Sequence, residues 1–146
     1  MPKSLLDSTT FIDIQRAANH SRDAWAINTL RHVADYIGYH GKLCTSTLTV
    51  MEIVQGLASR AQSLQVFRQQ TLPAFDVIGF DEDAACLAGE IFSKLESARQ
   101  RIGIADTAVA AVALTHGLTV VTSNDKHFQR VVSLGYGLTL ENWRNP

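Results

Sequence analysis

Residues 104–128 read IADTAVAAVALTHGLTVVTSNDKHF. Small apolar residues fill Ala108 to Leu114, Gly117 stops the run, and Leu118-Thr119-Val120-Val121-Thr122 follows as a short apolar strand. A polar turn through Ser123, Asn124 and Asp125 then leads into a further helix. Helix, glycine stop, buried strand and polar turn is the unit from which a parallel α/β sheet is assembled, and ligands bind where such strands end. Acidic or amide groups stand at both polar junctions of this unit: Asp106 at the helix start, Asn124-Asp125 after the strand.

The rest of the chain repeats the pattern. Ser4-Leu5-Leu6 is a short strand that delivers Asp7, and a helix is expected from about Phe11 to Ala18. Trp25, Leu30, Val33, Ala34 and Ile37 form a helical stripe between Arg22 and Tyr39, with Gly38 and Gly41 as its end. Leu43-Cys44-Thr45 is a second strand. A long helix carrying Val50, Ile53, Leu57, Leu64 and Phe67 then runs up to Pro73. Phe75 to Phe80 is a third strand, and Asp81-Glu82-Asp83 opens another helix, where negative charge suits the positive end of the helix dipole. Gly137 to Leu140 can form a last edge strand. Strand and helix alternate throughout, which predicts an α/β/α three-layer fold with a short, mostly parallel sheet, and residues 1–146 as one domain.

Composition agrees with a globular chain: 146 residues, 46% apolar and 18% charged. A net charge of −1 offers no global positive field, so any nucleic-acid contact must come from a local basic patch. Cys44 and Cys86 lack metal-ligand or disulfide-framework spacing, and a reducing cytoplasmic setting is the simplest expectation. The apolar run before Asp7 is too short for a signal peptide, and no segment approaches the roughly 18 apolar residues of a membrane span.

Chemistry is sought in four acids placed near helix starts: Asp7, Glu52, Asp106 and Asp125. Each has a structural explanation. Thr49 and Glu52 fit a capping box, and Asp7, Asp106, and Asn124 or Asp125 fit helix caps. Taken together they suggest more, because a parallel sheet brings its strand ends to one edge. Three or four carboxylates gathered there cost several kcal/mol unless a proton or cation neutralises them. An all-oxygen set selects a hard ion such as magnesium or manganese, whose retained water can supply the hydroxide that attacks a phosphodiester.

The succession LLDS, TLTVMEIVQG, IADTAVAAVALTHGLTVVTSNDKHF and LENW resembles the PIN-domain nucleases over nearly the whole chain, and most of all the toxin ribonucleases of the VapC group. The resemblance puts the family's acids at Asp7, Glu52 (with Gly56 four residues on) and Asp106, and its fourth polar ligand within Thr122-Ser123-Asn124-Asp125. It implies a magnesium- or manganese-dependent endoribonuclease that leaves a 5′-phosphate. It further implies a homodimer acting on RNA and held inactive by a cognate antitoxin. Ser8 and Thr9 depart from the family's usual Thr-Asn after the first acid. Ser8 keeps a hydroxyl able to orient Asp7, whereas Thr9 lacks the amide. Asp125 is taken as the fourth acid, with Asn124 as cap or water-holder and Thr122 supporting the site through its hydroxyl.

His127 is read as a solvated helix residue, and Trp143 as packing the tail onto the sheet. Of Arg16, Arg22, Arg99, Arg101, Lys126 and Arg130, a minority should meet substrate phosphate. Two readings compete with the toxin: a housekeeping RNA-processing nuclease, and a catalytically impaired binding module of the same fold. A phospho-acceptor receiver domain is excluded, because it needs adjacent acids after its first strand and Asp7 stands alone.

Overall fold

The computed structural model describes every residue from Met1 to Pro146. Its centre is a five-stranded sheet: β1 (Ser4–Leu6), β2 (Leu43–Ser46), β3 (Phe75–Ile78), β4 (Thr119–Val121) and β5 (Leu140–Glu141). The strand order is β3-β2-β1-β4-β5, and every pairing is parallel, including the edge pair β4–β5. Register is set across the middle by Leu5 opposite Val120 and Leu6 opposite Val121.

Seven helices connect and cover the strands: α1 (Ser8–Ala17), α2 (Ala24–His40), α3 (Thr47–Leu57), α4 (Ala61–Val66), α5 (Glu82–Ser97), α6 (Ile104–His116) and α7 (Asp125–Val132). Side chains alternate across a strand, so each short strand feeds two cores. Leu5, Cys44 and Val120 join Ile91, Leu95, Val109, Val112, Phe128 and Val131 beneath α5, α6 and α7. Leu6, Leu43 and Val121 point the other way, to Tyr36 and Trp143 beneath α1 and α2. Helices therefore cover both faces of the sheet. A smaller cluster of Phe11, Ile53 and Phe67 ties α1 to α3, with Phe11 and Phe67 edge to face at 5.7 Å.

Residues Thr107 to Ala113 of α6 are all buried. The helix lies inside the molecule, which its alanine-rich sequence permits because small side chains let neighbours approach from all sides. It ends at Gly117, whose left-handed backbone (φ 65) allows Leu118 to donate back to the Ala113 carbonyl.

Several local expectations are corrected. Helix α1 begins at Ser8 rather than Phe11, because Asp7 caps it. Gly38 lies within α2, which continues to His40 before Gly41 ends it. The buried face of α2 is Ala26, Thr29 and Tyr36, while Leu30, Ala34 and Ile37 are exposed. Hydroxyls made that face buriable: Thr29 donates to the Trp25 carbonyl, and Tyr36 bonds the Ser4 backbone. The single long helix before Pro73 is broken after Leu57 into α3 and α4. It then winds through a π-helical turn (Phe67–Thr71) and a 3-10 turn (Leu72–Ala74) that contains Pro73. The third strand stops at Ile78.

Trp143 is buried against the sheet as expected, and the tail is clamped there. The Arg144 guanidinium makes a two-pronged bond to the buried Asp13, at 2.6 and 2.7 Å, and lies over the Trp25 ring. No buried side-chain polar atom lacks a partner. No helix is long and apolar enough to cross a membrane.

Candidate active site

In an all-parallel sheet every strand ends at the same edge, and a helix that returns the chain to the next strand starts at that edge. β1 ends by presenting Asp7, β2 runs directly into α3 with Glu52 in its second turn, and β4 ends at Thr122 before α7. α6, running back towards the start of β4, brings Asp106 to the same edge in its first turn.

Asp7 is the most enclosed of the acids, at 3% exposed. One carboxylate oxygen accepts from the Thr10 backbone N–H at 3.0 Å and from the Thr9 hydroxyl at 2.7 Å. The other accepts from the Thr122 hydroxyl at 2.5 Å. Asp7 thus caps α1 and belongs to the acidic cluster at once; the two readings were not alternatives. Burial pushes its carboxyl above the ordinary 3.8, the hydrogen bonds from Thr122, Thr10 and Thr9 pull it back, and the Asp106 charge adds to the rise.

Glu52 is also held above its ordinary value, by burial first and then by the charges of Asp106 and Asp7. The neighbouring Ser8 hydroxyl works in the opposite direction. Ser8 therefore acts on Glu52, and the hydroxyl that orients Asp7 comes from Thr9, which takes the place of the family's amide. The proposed capping box is not formed: Ser46 caps α3 by accepting from Thr49 N–H, which leaves the Glu52 carboxylate free of that duty. Asp106 is likewise not a cap, since Gly103 occupies that position.

His127 is not merely solvated. Its Nδ1 lies 2.8 Å from Asp106 Oδ2 and 3.0 Å from Asn124 Nδ2, and it can donate to the first or accept from the second. Asn124 stands at the cap position of α7 without a side-chain capping bond; its amide is turned to His127 instead. Asp125, the first residue of α7, is exposed. Its charge is not among those acting on Asp7 or Glu52.

A lattice of hydroxyls underlies the acids. Thr10 donates to the Val121 carbonyl at 2.9 Å, and Thr45 donates to the Leu6 carbonyl at 2.8 Å. Thr9 accepts from Ser123 N–H, and Thr122 accepts from Asn124 N–H. These bonds tie the ends of β1, β2 and β4 together, the Val121 carbonyl accepting from Asp7 N–H as well as from Thr10. The sequence does not disclose these roles of Thr9 and Thr10, because a threonine two or three residues after an acid reads as ordinary helix-start chemistry.

Three carboxylates from separate elements thus stand close enough that Asp106 raises the proton affinity of Asp7 and Glu52, and Asp7 that of Glu52; only His127 offers any of them a positive partner. As the side chains stand, no three such groups close on one point tightly enough to encircle an ion. The donor chemistry nevertheless fits a hard divalent cation, being all oxygen and in need of positive charge. An apolar groove between α1 and α3, lined by Phe11, Ile12, Ile53 and Leu57, opens onto Ser8 and Glu52.

The PIN domain family profile matches residues 4–134. The chain is 29% identical, over 98% of its own length and 99% of the relative's, to the tRNA(fMet)-specific endonuclease VapC of Salmonella typhimurium. It is 34% identical to the enzyme of that name from Shigella flexneri, over 70% of this chain and 76% of that one. Among solved structures it resembles the DNA-bound VapBC of Salmonella typhimurium, with a TM-score of 0.75 and 26% identity over 98% of this chain and 99% of that one. In fold it also resembles FitAB bound to the IR36 DNA fragment, with a TM-score of 0.77 and 22% identity over 97% and 96% of the two chains. Fold, strand-end acids and relatives agree: the chain belongs to the PIN-domain family, with the VapC ribonucleases as its relatives.

Proposed function

We propose that this protein is a divalent-metal-dependent endoribonuclease and the toxin of a toxin–antitoxin pair. The observation that carries the reading is the convergence of Asp7, Glu52 and Asp106 at the one edge where all strands end, with the Asp106 charge helping to hold Asp7 and Glu52 above their ordinary values. Asp7, Glu52 and Asp106 would hold Mg2+ or Mn2+, with Asp125 contributing from the rim. Bound there, the cation would offset the carboxylates and polarise a phosphodiester and its attacking water. The chain's own contribution is orientation. Thr9, Thr10 and Thr122 fix Asp7, Ser8 steadies Glu52, and Asn124 and His127 set the Asp106 carboxylate. No side-chain nucleophile is required.

The names of the VapC relatives support RNA as substrate, and their VapBC complexes support an antitoxin partner. The groove beside Glu52 suits an apolar segment of such a partner. Exposed Phe80 and Ile104, at an apolar groove with Phe92 and Leu48, suit a second copy in a homodimer. A cytoplasmic location would place it with such a substrate and partner. In magnesium buffer the wild type should cleave RNA while Asp7→Asn and Asp106→Asn do not. Equal activity in all three would remove the assignment. Calorimetric titration with Mn2+ separates the enzyme from an impaired binding module, which would take up no metal.

A further inference from the structure

Four cations gather one helical turn from the acidic cluster. His127 fixes the first turn of α7 to Asp106 of α6. Arg130, three residues beyond His127, occupies the next turn of the same helix face, where side chains at that spacing are neighbours. Its guanidinium donates to the Arg101 carbonyl at 2.6 Å, in the link between α5 and α6 just before Asp106. Arg101 in turn is held over the Phe92 ring, 5.6 Å from its centroid. Lys126 lies one turn before Arg130, and Arg99 two residues before Arg101.

Two further features bear on this corner, the first shared with most of the chain's lysines and arginines. First, none of the four is in an ion pair. The molecule's ion pairs are His20–Asp23, Glu90–Lys94, His127–Asp106 and Arg144–Asp13, so neighbouring Glu96 and Asp125 leave the corner's charge unspent. Second, Arg99 has a left-handed backbone (φ 56) at the end of α5. Gln100 N–H bonds the Leu95 carbonyl and Arg99 N–H bonds that of Glu96, the helix ending in which glycine is favoured at the Arg99 position. The chain bears an arginine there at a conformational cost.

We infer that Arg101 and Arg130, flanked by Arg99 and Lys126, form a phosphate-binding corner that holds the RNA backbone next to the scissile bond. This rests on the nuclease reading above. The pinned guanidiniums are partly pre-organised, and each can present its remaining N–H donors to a phosphate oxygen. The contact is to backbone charge, so it sets the path of the strand and carries no base preference.

The test is fluorescence anisotropy of a labelled single-stranded RNA across a salt series, in an Asp7→Asn parent so that the RNA survives. Arg101→Gln should lower the slope of log affinity against log salt by about 0.7, and Arg101→Gln with Arg130→Gln by about 1.4. Arg31→Gln, an exposed arginine of α2, should leave it unchanged. The single Arg101 variant keeps the test decisive if the double variant folds poorly, because that side chain is exposed. An unchanged slope in the Arg101 variant, or an equal loss in Arg31→Gln, overturns the corner while wild-type cleavage keeps the nuclease. Wild type that neither binds nor cleaves RNA removes both.

Discussion

The Thr122 hydroxyl donates to Asp7 Oδ2 at 2.5 Å, across 115 positions of sequence, and so ties the end of β4 to the end of β1. The same oxygen of Thr122 accepts from Asn124 N–H, which makes it the hinge between the first acid and the turn into α7. Thr122→Val keeps the volume and removes both bonds. We expect cleavage to fall about 10- to 100-fold, the range for losing a group that orients a ligand, with Thr122→Ser restoring most of it. Steady-state kinetics on both variants checks this; unchanged turnover in Thr122→Val would show that the bond is structural only.

Asp7→Asn should abolish cleavage yet melt at or above wild type when metal is chelated. The sign follows from the raised carboxyl. Folded Asp7 takes up a proton more readily than unfolded Asp7, so at neutral pH its ionised form destabilises the fold. That cost is relieved as pH falls through the folded value towards the ordinary 3.8. The advantage of Asp7→Asn over wild type should therefore be largest near neutrality and shrink on acidification. Thermal melts in EDTA over a pH series measure it.

Arg144→Ala should destabilise the protein by about 2–3 kcal/mol, because it leaves Asp13 buried without its partner. Arg144 is itself 43% exposed, so water can partly replace it and the cost stays at the lower end of the range for broken buried pairs. Replacing Asp13 as well, as Asp13→Leu with Arg144→Met, should recover much of the loss. Urea unfolding midpoints report both changes.

The two cysteines should differ sharply in reactivity. Cys44 is a buried residue of β2, and burial pushes its thiol up to about 11, so almost no thiolate exists at pH 8. Cys86 is exposed on α5. Native protein treated with a thiol reagent at pH 8 should label fast at Cys86 alone, and Cys86→Ser should abolish fast labelling.

The alternation of short apolar strands with helices was enough to give the three-layer architecture, because a strand buried on both faces must be apolar along its whole length. Leu5-Leu6 and Val120-Val121 show this directly, each pair feeding both cores. Helix faces were less legible. In α2 Leu30, Ala34 and Ile37 of the apolar stripe are exposed and Val33 only partly buried, while Thr29 and Tyr36 are buried because their hydroxyls found backbone partners. Periodicity of hydrophobicity cannot register a polar group that is satisfied from another element.

The sequence by itself determined which acids exist and that each stands where a strand or helix delivers it to one edge. Only the tertiary structure decided their surroundings: Ser46 rather than Glu52 doing the capping, Thr9 standing in for an amide, and His127 turned onto Asp106. The reason is that strand order in a parallel sheet is fixed by packing of the helices between strands. Contacts such as Thr122 with Asp7 therefore join segments whose local sequences carry no trace of one another.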